Sequence, residues 1–416
     1  MATDLTLPPK LSQPLRDQPR VLVVGPGPRF MSGITYHTAS IVRALYRGRV
    51  PVSALLLRQL CPSSLYPGRD HVGSHDMTAL GLPPIPTHDG PDWHWVTSLR
   101  PALSHMRQFR PDIVLLQWWT TATLHTYLAL AREARSLGAA VVLELHESSD
   151  VGESSIPLIG TYRRLFMQLM SRHTDALVLH SRSDAHTFPR LYPTLARLPS
   201  VVIFPGPLEH GGQHLSQITP RAVDASSPMR LLYFGVMRPY KGLLELAHAY
   251  RDLVTEGIHA HLTVAGEPWT DTTEALKILA ALPPQTVTVI PKYVPDAEVH
   301  TLFTTSDAVV LPYRRASASG PANLTMAAGL PLVTTRIPAL VEACANYEGV
   351  VFAEPDDPQS LATALRRVLP LRGNRYHNPH SWHTNAARYL ALFNSVRDRS
   401  SAKTASEALS ALSSTQ

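Results

Sequence analysis

At 416 residues, 44% of them hydrophobic, the chain is too long for one ordinary core and is expected to form two domains of roughly 200 residues each. The formal charge of +6 suits an anionic ligand, but the arginines are scattered and not gathered into a basic stripe, so no nucleic-acid partner is expected. No apolar run reaches about eighteen residues, the N-terminus lacks an apolar leader, and Cys61 and Cys344 show neither CxxC nor metal-type spacing; a cytoplasmic protein with reduced thiols and no metal is the expectation.

Residues 1–19 are rich in proline and polar groups and read as a disordered tail. Strand-like runs follow: RVLVVG from Arg20, PVSALLL from Pro51, DIVLLQ from Asp112, AAVVLEL from Ala139, DALVLH from Asp175 and VVIF from Val201. Helices are expected between them, among others at about 35–47, 122–137 and 157–172. Together these make a first domain over residues 20–210. The stretch GPLEHGGQHLSQITPRAVDASSP after Phe204 has no strong period and ends in a turn-favouring Ser-Ser-Pro, so 211–228 reads as a linker.

The pattern then restarts with MRLLYFG from Met229, HLTVAG from His261, TVTVIP from Thr286, DAVVLP from Asp307, LPLVTT from Leu330 and GVVFAE from Gly349. A second domain is expected over 229–375, a helix around SWHTNAARYLALF within 376–398, and a tail rich in Ser, Ala and Thr over 399–416. Strands alternating with helix-length segments predict the α/β class, with two doubly wound parallel sheets. No self-similarity is visible, so this is a repeated architecture and not a repeat array.

Four segments carry candidate chemistry. In LLYFGVMRPYKGLLELAHAY a strand ends at Gly235 and a short loop brings Arg238 and Lys241 to its carboxyl end, where open α/β sheets bind ligands and a diphosphate needs positive charge. Two surface cations before a helix is the bland alternative. In DAVVLPYRRASASGPANLTMAAGLPLVTT a helix opens near Pro321, and free N–H groups at Ser319 and Gly320 would make an anion site; a simple Ser cap is the alternative. GPGPRFMSGITYHT places Gly33 before a helix, where it would permit close approach of a ligand or serve only a tight turn. Its Gly25 and Gly27 do not fit G-x-G-x-x-G, so a dinucleotide fingerprint is absent. LELHESSD sets His146 and Glu147 at a strand's carboxyl end, where an imidazole can bind a sugar hydroxyl or carry a proton.

Taken in order, SGIT, LELHESSD, YFGVMRPYKGL and SASGPANLTMAAGLPLVTT resemble the family 4 glycosyltransferases of the GT-B fold, from Arg20 to about Asp398. KYVPDAEV resembles the turn beside the nucleotide base, and SWHTNAARYLALF the C-terminal helix that crosses back onto the first domain. The resemblance implies two Rossmann-like domains facing across a cleft, the first on the acceptor side and the second holding a UDP- or GDP-linked sugar. It implies that Arg238 and Lys241 bind the donor diphosphate with the Ser319 and Gly320 amides and with Gly33, and that His146 contacts the transferred sugar. His146, Arg238 and Lys241 are thereby the expected catalytic residues. Tyr293 and Val294 would lie against the base, and Glu147 is a candidate contact for sugar or acceptor. Retention of configuration, no bound metal and no cofactor besides the sugar-nucleotide substrate are also implied.

One departure stands out: where the family carries two glutamates across this loop and helix, the chain has Ala316 and Leu324. An S-x-S-G-P loop replaces them, with Ser317, Ser319 and Asn323 as polar substitutes for the ribose contact. An inactive partner subunit and a sugar-nucleotide epimerase are the alternatives to a transferase of carbohydrate or specialised-metabolite biosynthesis. A small-molecule acceptor is favoured over a lipid-linked glycan, with peripheral membrane association and the oligomeric state left open.

Overall fold

The computed structural model describes residues 18–29, 33–59, 77–146, 159–208, 224 and 226–413. The chain divides into two compact units, one formed by the chain up to Phe204 together with Trp382 onward, the other by Pro205–Ser381. The linker expected at 211–228 falls largely outside the described residues.

The first unit runs β1 (Val21–Pro26), α1 (Gly33–Arg47), β2 (Val52–Leu57), β3 (Thr87–Asp89), α2 (Leu99–Phe109), β4 (Ile113–Trp118), α3 (Leu124–Ser136), β5 (Ala140–Leu145), α4 (Ile159–Ser171), β6 (Ala176–Leu179), α5 (Arg182–Leu191) and β7 (Ser200–Val202). Its seven-stranded sheet has the order β3-β2-β1-β4-β5-β6-β7 and every pairing is parallel. β1, β2, β4 and β5 are buried at every position, as expected of parallel strands covered by helices on both faces. That double burial is why they read as unbroken apolar runs. β3 escapes such reading: three half-buried residues at the sheet edge, preceded by a proline-rich segment.

The second unit runs β8 (Met229–Phe234), α6 (Leu243–Thr255), β9 (Ala260–Ala265), α7 (Thr273–Ala280), β10 (Val287–Ile290), α8 (Asp296–Thr305), β11 (Ala308–Leu311), α9 (Gly320–Ala327), β12 (Leu332–Thr335), α10 (Pro338–Ala343), β13 (Val350–Ala353) and α11 (Pro358–Val368). The six strands are ordered β10-β9-β8-β11-β12-β13, again all parallel. Strand order reverses between β1 and β4 in one sheet and between β8 and β11 in the other. Such switch points open a crevice at the strands' carboxyl ends, because the crossover helices leave on opposite faces there.

A final helix, α12 (Trp382–Ser413), belongs to the first unit and packs on α1 and β5. Ala386, Tyr389, Leu390, Phe393 and Val396 are buried along it at helical spacing, giving one apolar stripe. The helix continues past 398 to Ser413, where the sequence reading places a tail. The alanines of SAKTASEALSALS have the highest helix propensity, which outweighs the serines and threonines that suggest a loose end.

Candidate functional site

In the second unit, candidate residues gather at the β8/β11 switch point. β8 ends at Gly235, whose φ of +121° lies in a region that favours glycine. A Cβ at Gly235 would stand 3.4 Å from both Lys241 Nζ and Pro321 Cγ, so the ammonium group and the first turn of α9 border the same small space. The Arg238 guanidinium lies over the Trp269 ring, 4.7 Å from its centroid, and Trp269 Nε1 donates to Glu267 Oε2 at 2.9 Å. Lys241 Nζ lies 5.1 Å from the Tyr313 ring centroid. An aromatic face thus lies against each of the two cations and helps to fix its position.

The start of α9 completes this group. Ser319 is its N-cap, with Oγ accepting from the Ala322 amide at 3.2 Å, and Asn323 N donates to Ser319 O at 3.0 Å. Pro321 has no N–H, so the Gly320 amide is the first-turn donor left for an anion, and Gly320 is half-buried. Tyr233 runs through the adjoining core with its hydroxyl buried and unpaired among the described residues, and burial holds its pKa well above the usual tyrosine value.

Gly242 fixes how closely these parts approach. Its φ is +69°, and a Cβ there would fall 1.9 Å from the carbonyl oxygen of Pro312, just beyond β11. Only glycine lets the loop carrying Arg238 and Lys241 lie against the loop that leads to α9.

In the first unit, His146 follows β5 into a buried polar network. Its Nε2 is 2.6 Å from Gln117 Oε1 and its Nδ1 is 3.0 Å from His180 Nε2. Gln117 Nε2 donates to Glu144 Oε2 at 2.6 Å, while Glu144 Oε1 receives the Tyr389 hydroxyl at 2.6 Å and lies 2.8 Å from His37 Nε2. His180 Nδ1 is 3.0 Å from the Ile203 carbonyl. Burial works to raise the Glu144 pKa, but His37, His180 and His146 around it prevail and hold the carboxyl below the usual carboxylate range. Burial, with the neighbouring histidines, lowers His146 well below the usual imidazole value.

Two family models divide the chain as the two sheets do: one described as "Glycosyl transferase 4-like domain" matches residues 32–206, and one described as "Glycosyl transferases group 1" matches residues 228–370. The chain belongs to the glycosyltransferases. Among its relatives, glycogen synthase from Mycobacterium tuberculosis is 28% identical over 272 residues, 63% of this chain and 61% of that protein, so the chain spans less than two thirds of that relative. GDP-mannose:glycolipid 4-beta-D-mannosyltransferase from Xanthomonas campestris pv. campestris is 29% identical over 106 residues, 26% of this chain and 30% of that protein.

Solved structures share the fold. Sucrose-phosphate synthase from Thermosynechococcus elongatus superposes with a TM-score of 0.59 at 14% identity, covering 94% of this chain and 100% of that one. The catalytic domain of starch synthase IV from Arabidopsis thaliana, bound to ADP and acarbose, gives 0.60 at 13% identity, covering 92% and 99%. The architecture of this glycosyltransferase is therefore GT-B, two Rossmann-like domains of the α/β class.

Against this frame, Arg238, Lys241, Ser319 and Gly320 come together at one crevice of the second unit. Tyr293 and the buried Val294 lie between β10 and α8 at the same sheet edge, two strands from β8 and so roughly 10 Å away. Gly33 is the exposed first residue of α1 in the first unit, with open space where a Cβ would stand. Glu147 lies outside the described residues. Leu324 is buried in the core side of α9 and Ala316 is half-buried, so neither position offers a polar group. His146 is only 7% exposed and both its ring nitrogens are engaged within the unit, so in this conformation it has no N–H to offer a sugar.

The motif reading does not reach Trp269, Tyr313, His37, Gln117, Glu144, His180 and Tyr389. Trp269 had a signal, since EPW directly follows a strand at the same sheet edge. In the network around Glu144, His180 had the same strand-end signal, but the grouping had none, because its members come from α1, β4, β5, β6 and α12.

Proposed function

We propose that this glycosyltransferase moves a sugar from a nucleotide-diphosphate sugar to an acceptor, holding the donor diphosphate in the second unit at the β8/β11 switch point. The observation that carries the reading is the grouping of Lys241, Arg238 and the opening of α9 around Gly235. Fixed cations and a helix N-terminus together supply what an oligophosphate requires. As the bond to the sugar breaks, negative charge grows on the leaving diphosphate, and these pre-placed groups stabilise it there without reorganising. Arg238 and Lys241 thus act on the reaction itself as well as on binding.

Tyr293 and Val294 are assigned to the base and Gly33 to close approach by the first unit, as the family resemblance implies. Retention of configuration is proposed on the same ground. His146 is retained as a contact for the transferred sugar through its ring edge, the nitrogens being turned into the buried network. The reading employs no cofactor beyond the donor.

Thermal unfolding with UDP, GDP, ADP and TDP tests the proposal, alongside an Arg238→Ala, Lys241→Ala double variant. A nucleotide at about a hundred times its dissociation constant adds about 2.7 kcal/mol to the folded state. One nucleotide is expected to raise the midpoint of the wild type but not of the variant. A second reading, a glycosyltransferase-like subunit without catalysis, is favoured by the apolar Leu324 where a ribose-binding glutamate is usual. It predicts no shift with any nucleotide.

A further inference from the structure

We propose that His37, Glu144, His146 and His180 bind a divalent transition-metal ion, zinc by the chemistry of the donor set, as a structural centre inside the first unit. Three imidazoles and one carboxylate are buried together, each offering one ligand atom, and those atoms lie within 4.8 Å of one another. His37 comes from α1, Glu144 from β5, and His146 and His180 from the carboxyl ends of β5 and β6.

The hydrogen positions point to a cation. The Ile203 carbonyl can only accept, so His180 carries its hydrogen on Nδ1 and turns the Nε2 lone pair inward. An ionised Glu144 can only accept, so the Gln117 amide donates to it through Nε2. The Gln117 oxygen then faces His146 Nε2, which must carry the hydrogen, and His146 Nδ1 also turns a lone pair inward. These two lone pairs meet at 3.0 Å, with Glu144 Oε1 3.4 Å from His180 Nε2. Lone pair against lone pair is repulsive unless a positive centre lies between them.

The surroundings match a metal site's outer shell. Metal-bound imidazoles usually donate their second ring N–H to a carbonyl, carboxylate or similar acceptor, which fixes the tautomer; the Ile203 carbonyl and Gln117 Oε1 do this for His180 and His146. Tyr389 and Gln117 likewise hold the carboxylate. Nitrogen and oxygen ligands about 2.0–2.1 Å from zinc stand about 3.3 Å apart in a tetrahedron. Three of the six separations, 2.8, 3.0 and 3.4 Å, lie around that value, and the wider ones, up to 4.8 Å, must contract by rotation of an imidazole as the ion binds. Four protein ligands leave no open position, which makes the centre structural and not catalytic. Its four ligands all come from the first unit, and the proposal does not depend on the assignment of the donor diphosphate.

The test is metal content and metal response of the full chain, purified without a polyhistidine tag. Elemental analysis after dialysis against a weak chelator is expected to give about one zinc per chain, and His180→Ala and Glu144→Gln to lose it while His173→Ala, outside the cluster, keeps it. Cobalt added to chelator-stripped wild type is expected to show the intense visible absorption of a four-coordinate site, and zinc to raise the unfolding midpoint. The wild-type measurements decide even if the variants fail to fold. Zinc content near zero, with no midpoint change and no cobalt spectrum, would mean that one proton shared by His146 and His180 satisfies the cluster, and would overturn the proposal.

Discussion

The hydroxyl of Tyr389 donates to Oε1 of Glu144 at 2.6 Å across 245 positions of sequence, joining α12 to the centre of the first sheet. Both groups are buried. Burial and the adjoining carboxylate keep the Tyr389 hydroxyl protonated, so it is a permanent donor. Tyr389→Phe keeps the ring against Phe393 and removes one donor from a buried acceptor. A loss of about 1–3 kcal/mol is expected, read as a lower urea midpoint at unchanged slope. An unchanged midpoint would mean that the apolar stripe alone holds α12.

Gly242 and Gly257 separate backbone strain from crowding. Both have left-handed φ, +69° and +75°, but a Cβ at Gly242 meets the Pro312 carbonyl at 1.9 Å whereas at Gly257 it meets nothing within 4 Å. Gly257→Ala is expected to cost about 1–2 kcal/mol, the strain of a left-handed residue with a side chain. Gly242→Ala adds displacement of the β11 loop and is expected to cost about 3 kcal/mol or more. Equal midpoints for the two variants in chemical denaturation would show that the close approach does not exist.

Much of this fold is legible because parallel strands buried on both faces must be apolar throughout; runs such as DIVLLQ and MRLLYFG locate β4 and β8 within a residue or two. β3 is not legible, since an edge strand of three residues buries too little to impose a pattern. That Arg238, Lys241, Ser319 and Gly320 share one sheet edge was readable for a related reason: each lies in the segment that leaves a recognisable strand, and strand ends define the crevice. His180, directly after the strand run DALVL, could have been found that way, whereas His37, inside α1, could not. What joins them to Glu144 is adjacency of strands and of helices α1 and α12, which spacing along the chain does not encode. The expectation of no metal rested on such spacing and on the family resemblance.

Cys344 is 1% exposed, and burial pushes its thiol up to about 12. At pH 8 the thiolate fraction is then on the order of one part in ten thousand, and the thiolate is the reactive form. Iodoacetamide is expected to leave Cys344 unmodified in the native protein and to label it fully above the denaturation midpoint, as resolved by peptide mapping, which keeps Cys61 separate. Rapid native labelling would show that α10 opens readily and that the thiol is not held in the core.

The stacking of Arg238 on Trp269 leads to a graded expectation for donor binding. If the guanidinium contacts the diphosphate, Arg238→Ala removes charge-assisted hydrogen bonds worth about 1.5–3 kcal/mol, which corresponds to about 10- to 150-fold weaker binding. Trp269→Leu leaves that charge in place but removes the surface that orients it, a cation–π contact of about 0.5–2 kcal/mol, so binding should weaken by about 2- to 30-fold. In the Arg238→Ala background the Trp269 substitution should add little, because the group it positions is gone. Titration calorimetry of the four chains with the stabilising nucleoside diphosphate provides this cycle. Full additivity of the two effects would show that Trp269 acts on the nucleotide directly, and an Arg238→Ala chain with unchanged affinity would remove Arg238 from the diphosphate site.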